Sequence, residues 1–111
     1  MIDNIQKLYK LAEIEKVDYI EDMDSDIVDY RTIKIDYPPF TSKKQLELIK
    51  WLASEQNDVE ISWYSDTGFR VNNFLDSCEH KDFSQALAGL VCELWEDLLD
   101  EQKQEIRKIL E

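Results

Sequence analysis

A chain of 111 residues, 43% of them hydrophobic, has the length and apolar content of one domain, enough to bury roughly two thirds of its unfolded surface. Asp and Glu total 25 against 13 Lys and Arg, and the resulting charge of −12 argues against direct binding to nucleic-acid phosphates. Two glycines leave no phosphate-cradling loop, and no stretch approaches the ~18 apolar residues of a membrane span.

In chain order, Ile5, Leu8, Leu11, Ala12 and Ile14 recur at helical spacing and predict a helix over 3–16, with Asp3 and Gln6 as a capping-box variant. Ser42 with Gln45 and Asp82 with Gln85 repeat that device. Val17 to Asp29 carries Asp18, Glu21, Asp22, Asp24, Asp26 and Asp29 without a base, and Asp clusters disfavour helix interiors and strands, so it reads as a loop. Its Asp22-x-Asp24-x-Asp26 spacing falls short of a calcium loop, because Ile27 stands at the glycine position and Ile33 at that of the bidentate Glu. Ile33, Ile35 and Tyr37 alternate with Lys34 and Asp36 as a half-buried strand, which Pro38-Pro39 ends. Leu46, Leu48, Ile49, Leu52 and Ala53 then predict a helix over 43–55 with Trp51 at the border of its apolar side.

Residues 59–64 and 69–75 read as a hairpin around Ser65-Asp-Thr-Gly68, whose glycine suits a left-handed position. Residues 76–81 read as a polar connection. The central helix follows over 83–99, with Phe83, Ala86, Leu87, Leu90, Val91, Leu94, Trp95 and Leu98 on its apolar side and Glu93, Glu96, Asp97, Asp100 and Glu101 opposite. A last helix over 101–110, which Asp100 would cap, has apolar Ile106, Ile109 and Leu110, with Lys103, Arg107 and Lys108 suited to its C-terminal end.

This order predicts an α+β fold in a single domain spanning 1–111, with a small, mainly antiparallel sheet (strands near 31–37, 59–64 and 69–75) packed against the four helices. Ile33, Ile35, Val59, Ile61, Trp63, Phe69 and Val71 would meet the central helix. Trp63 and Trp95 belong to the core in this reading, and Trp51, Tyr64 and Phe74 to a partner-facing patch. From about Lys44 to Leu99, the helix, Ile61-Ser-Trp, Phe69-Arg-Val and Phe83…Ala86-Leu87…Leu90 resemble the small helix–hairpin–helix sandwich domains of phage proteins. The resemblance covers about half the chain, implies a phage or mobile-element origin and transfers no functional residue.

His80 is the only histidine, so Ser-His-Asp arrangements are absent, and Cys78-Glu-His80 supplies three ligands where a structural zinc takes four. Nothing near His80 orients it for a Cys–His nucleophile. No catalytic residue, metal ligand or cofactor is therefore assigned, and the chain reads as a binding protein, not an enzyme. Cys78 and Cys92 form no Cys-x-x-Cys pair, and the first residues lack a basic leader and apolar run, so reduced thiols in the host cytoplasm are expected.

Charge is unevenly spread, at −5 over 1–40, −2 over 41–81 and −5 over 82–111. Asp18, Tyr19, Glu21, Asp22, Met23, Asp24, Asp26, Asp29 and Tyr30 form one candidate surface, with aromatics framed by acids as a hot spot against a basic pocket. Glu93, Glu96, Asp97, Asp100 and Glu101 form the other, a row with no interleaved lysine. At three- and four-residue helical spacing they would stand about 5–6 Å apart and imitate a strand of phosphates. The expected partner is a basic, nucleic-acid-binding nuclease, with no direct contact to nucleic acid or membrane and a homodimer left open. The expected function is a phage or mobile-element inhibitor filling the basic channel of a host defence nuclease, of anti-CRISPR or anti-restriction type. Alternatives are an immunity protein against a toxin nuclease, a carboxylate-based metal-dependent hydrolase and an acidic component of a phage particle.

Overall fold

The computed structural model describes residues 3–22, 31–55, 59–73 and 76–111. In chain order they form α1 (Asn4–Leu11), β1 (Val17–Asp22), β2 (Arg31–Asp36), α2 (Ser42–Glu55), β3 (Glu60–Tyr64), β4 (Gly68–Asn72), β5 (Ser77–His80), α3 (Phe83–Leu94), a 3-10 turn (Trp95–Asp97) and α4 (Asp100–Leu110). The expected α+β architecture is present, a small antiparallel sheet on helices.

Two strands depart from expectation. The strand at 31–36 does not join the hairpin; it pairs antiparallel with β1, where a loop was expected, in a register that sets Ile20 opposite Ile33 and Asp22 opposite Arg31. The third strand of the main sheet is β5, in place of the polar connection at 76–81, and the order is β3-β4-β5. Its register pairs Arg70 with Glu79 and Val71 with Cys78. The β4–β5 turn is closed by Asn73, whose N–H donates to the Asp76 carbonyl at 2.9 Å and whose Oδ1 accepts from the Asp76 N–H at 2.7 Å. The β3–β4 hairpin stands as expected, with Gly68 at φ +88°, and a Cβ there would meet the Lys81 Cα at 2.6 Å.

Helix starts follow the expected logic with different partners. The Asp3 carboxylate accepts from the N–H groups of Ile5 and Gln6, at 3.0 and 3.2 Å. The reciprocal amide is Gln85 of α3 instead of Gln6: its Oε1 accepts from the Asn4 N–H at 2.8 Å and its Nε2 donates to Asp3 at 2.9 Å. At α2 the capping oxygen belongs to Thr41, one residue before Ser42, and accepts from the Lys44 N–H at 3.3 Å. At α3 Asp82 accepts from the Ser84 N–H at 2.9 Å and hydroxyl at 2.6 Å, and the hydroxyl bond is the main reason its carboxyl titrates below the ordinary range. Leu99, not Asp100, stands in the cap position of α4, where Gln102 Oε1 accepts its N–H at 3.0 Å. α1 ends with Glu13 in the left-handed region at φ 57°, while the N–H groups of Glu13 and Ile14 donate to the carbonyls of Lys10 and Tyr9.

The core is organised around α3. Every residue from Ala86 to Cys92 is buried, because α1 crosses one side and β4 and β5 lie against another. A helix apolar on all sides is an interior helix, so the expected two-sided division into stripe and acidic face does not exist along its length. Gly89 is where the neighbours come closest: a Cβ there would lie 2.3 Å from Cys78 Sγ and 2.8 Å from Asn4 Nδ2. α2 and α4 close the other end of the core, tied by the Trp51 Nε1–H, which donates to Glu105 at 2.7 Å, and by Lys44 Nζ, which donates to the Leu110 carbonyl at 2.8 Å. Trp51 is thus buried and not partner-facing. Tyr9 stacks on Tyr37 with ring centroids 5.4 Å apart and meets Phe40 edge-on, fixing the segment after β2 to α1.

Candidate functional site

The acidic row takes shape where α3 ends. Glu93 is the first exposed residue after the buried run, Glu96 and Asp97 occupy the 3-10 turn, and Asp100 and Glu101 open α4. All five are exposed, so their expected accessibility holds, but the helix expected to 99 stops at Leu94. The acids form a corner between two helices instead of a ladder on one.

Among the described residues the ion pairs are Lys50–Glu47, Arg70–Glu79 and Arg107–Glu111, and none involves the five acids. Lys103, the nearest base in sequence, has its ammonium 5.8 Å from the centroid of the Trp95 ring. Helix electrostatics divide the set. Asp100 and Glu101 sit in the first turn of α4, where a carboxylate is favourable by about 0.3–1 kcal/mol. Glu93, Glu96 and Asp97 crowd the C-terminal end of α3, where the same effect has the opposite sign. Three of the five acids therefore stand where local stability disfavours them.

Leu99 stands between Asp97 and Asp100 and is 68% exposed. The helix expected over 83–99 ends on this residue, which is neither on its expected apolar side nor among the expected contacts. Leu98, which the spacing puts on the apolar side, is buried beside it.

Of the other candidate surface, Asp18, Tyr19, Glu21 and Asp22 lie on β1, in a two-stranded ribbon whose close contacts are between its own strands. Met23, Asp24, Asp26, Asp29 and Tyr30, and with them the calcium-like spacing, lie outside the described residues. Glu13, shortly before the ribbon, accepts from Arg107 of α4 through its carbonyl at 3.4 Å and lines a surface pocket with Trp95, Asp100 and Lys103.

The thiols and the histidine are used structurally. Cys78 Sγ faces Asn4 Nδ2 at 4.0 Å, and Cys92 Sγ donates to the Asn4 carbonyl at 3.6 Å. Burial pushes the Cys92 thiol up to about 11, against an opposing effect of Lys7, and burial followed by Glu93 and Glu79 raises that of Cys78. His80 Nδ1 accepts the Asp82 N–H at 2.9 Å, so that nitrogen is engaged in the turn into α3. Among the described residues no group of three or more His, Cys, Asp or Glu is placed to hold a metal ion. No helix among them is long and apolar enough to cross a membrane.

One tryptophan reverses its expected place. Trp63, read as core, is 64% exposed on β3 beside Ile61 and Tyr64, at 45% and 44%, and Phe74 lies outside the described residues. Comparison with protein families, characterised proteins and solved structures finds no match to this chain.

Proposed function

We propose that this protein acts by binding a basic partner through the acidic corner of Glu93, Glu96, Asp97, Asp100 and Glu101, with Leu99 as an apolar contact at its centre. The observation that carries this reading is the placement at the C-terminal end of α3 of exposed acids that form no ion pair among the described residues. Electrostatics there oppose them, and solubility would be served equally by acids at helix N-termini. Steering by the −12 charge brings the partner in, and carboxylate pairing with Arg and Lys holds it.

A partner evolved to bind phosphates presents the required surface, and the resemblance to phage sandwich domains suggests the setting. In this reading the protein is a phage or mobile-element inhibitor, acting in the host cytoplasm, that occupies the nucleic-acid channel of a defence nuclease and excludes the guide or target strand. It performs no catalysis and carries no cofactor. The test is capture from host lysate with immobilised protein. Wild type is expected to retain a basic, nucleic-acid-binding protein at low salt, and E96K/D97K/D100K to lose it while keeping its fold. Retention of the same protein by the reversed variant would overturn the proposal.

A further inference from the structure

The main sheet has an edge built to be covered. α3 lies over β4 and β5 and leaves β3 overhanging. Ile61 stands opposite Val71 and Trp63 opposite Phe69, so these two residues extend the core-facing side of the sheet past the helix that covers it. Val71 is fully buried and Phe69 meets Phe83 of α3 edge-on at 5.5 Å, but Trp63 and Ile61 are 64% and 45% exposed. The outer backbone edge of β3 pairs with no strand among the described residues. Proteins ordinarily protect such an edge with lysine, proline or a bulge. The opposite edge, β5, is protected in this way: it has four residues, two of them Glu79 and His80, with Lys81 following. β3, Glu-Ile-Ser-Trp-Tyr, carries one charge, at its first position.

We infer that β3 is a homodimer interface, pairing antiparallel with β3 of a second copy to make one continuous six-stranded sheet. The sequence of the strand is self-complementary about Ser62: Ile61 falls opposite the partner's Trp63, Ser62 opposite the partner's Ser62, and Glu60 opposite the partner's Tyr64. No like charges meet, which two molecules of −12 require of any surface they share. Two-fold symmetry about an axis through the sheet keeps the same face up in both copies. The Ile61 and Trp63 side chains of both then fill the trough between the two α3 helices.

The area is that of a weak, reversible dimer. At ~150–250 Å² for each aromatic, the exposed parts of Ile61, Trp63 and Tyr64 come to about 300 Å² per copy. Doubled, and with the strand edges added, this approaches ~1,000 Å², the lower limit for a specific interface. An interface at this limit is expected to dissociate reversibly in the micromolar range. The inference is independent of the acidic corner, and salt separates the two: screening relieves repulsion between the copies and strengthens the dimer, whereas it weakens binding by the acids.

Sedimentation equilibrium from about 1 to about 500 μM protein tests this. The expected result is a shift from the 13.2 kDa monomer to twice that mass, with a blue shift of tryptophan emission over the same range. Trp63→Lys and, separately, Ile61→Lys should each weaken association at least tenfold with unchanged far-ultraviolet dichroism, since both side chains are substantially exposed. Added salt should tighten the wild-type dimer. A wild type that stays at 13.2 kDa throughout overturns the inference, and so does a dimer that both lysine variants leave intact; an edge that takes up only another protein's strand appears as the first of these results.

Discussion

Gly89→Ala sets two forces of known sign against each other. In a helix interior the change should stabilise by about 1 kcal/mol, because alanine is the better helix former. Here the new methyl would lie 2.3 Å from Cys78 Sγ and 2.8 Å from Asn4 Nδ2, inside the ~3.5–4.0 Å of ordinary contact by more than 1 Å on the sulfur side. Neither neighbour yields freely: Cys78 is fixed by the β4–β5 register, and the Asn4 amide donates to the Gln85 carbonyl at 3.1 Å. Overpacking of this kind costs about 1–3 kcal/mol, and moving Asn4 adds about 1 kcal/mol for the hydrogen bond. The net expectation is destabilisation of about 1–3 kcal/mol, seen in urea titrations as a lower midpoint at unchanged slope. Adding Cys78→Ala to Gly89→Ala should recover part of the loss by making room for the methyl. A single variant more stable than wild type by about 1 kcal/mol would refute this packing argument outright.

Three further tests address separate parts of the fold. Gln85→Ala should cost about 1–2 kcal/mol, since it removes the acceptor of the Asn4 N–H and a donor to Asp3, while Gln6→Ala should change thermal stability little. Glu13→Gly should raise stability by about 0.5–1 kcal/mol in the same assay, because φ 57° suits glycine and the change removes one acid from a −12 chain. Stability should also fall in alkali: Cys92 and Tyr9 titrate at about 11 and about 12 in the fold against ordinary values of 9.0 and 10.0, both through burial. The folded state then holds protons that the unfolded chain releases, so the Cys92 contribution is complete below pH 9 and declines by about 2 kcal/mol as pH rises toward 11, and that of Tyr9 declines between about 10 and 12. Denaturant titrations of wild type and Cys92→Ala across that range should show a shallower decline in the variant.

Much of the fold was legible because periodicity is local. The β3–β4 hairpin, its Gly68 turn and the four helices each announced themselves within a dozen residues. What was not legible depended on neighbours distant in sequence. Gln85 caps a helix 81 residues away, and Trp63 falls in the apolar phase of its strand yet lies past the edge of α3, which no local pattern records. β1 was masked by its acids, because loop-favouring Asp outweighed Val17, Tyr19 and Ile20 in a local reading and the pairing to 31–36 is not local. For the candidate site, the identity and exposure of Glu93, Glu96, Asp97, Asp100 and Glu101 were readable from the apolar stripe they avoid. Their arrangement was not, because nothing in Leu94-Trp-Glu-Asp-Leu98 signals that the helix stops and the chain turns.

The central claim is that the acids at the junction of α3 and α4 are directed at a partner. Its most direct measurement is the affinity of the captured basic protein for wild type and for E96K/D97K/D100K as salt rises from about 50 to about 300 mM. The expected result is binding to wild type that weakens by tenfold or more over that range, and binding to the variant that is weak throughout and insensitive to salt. Equal affinities with the same salt dependence would contradict it and leave the corner as a solvated turn.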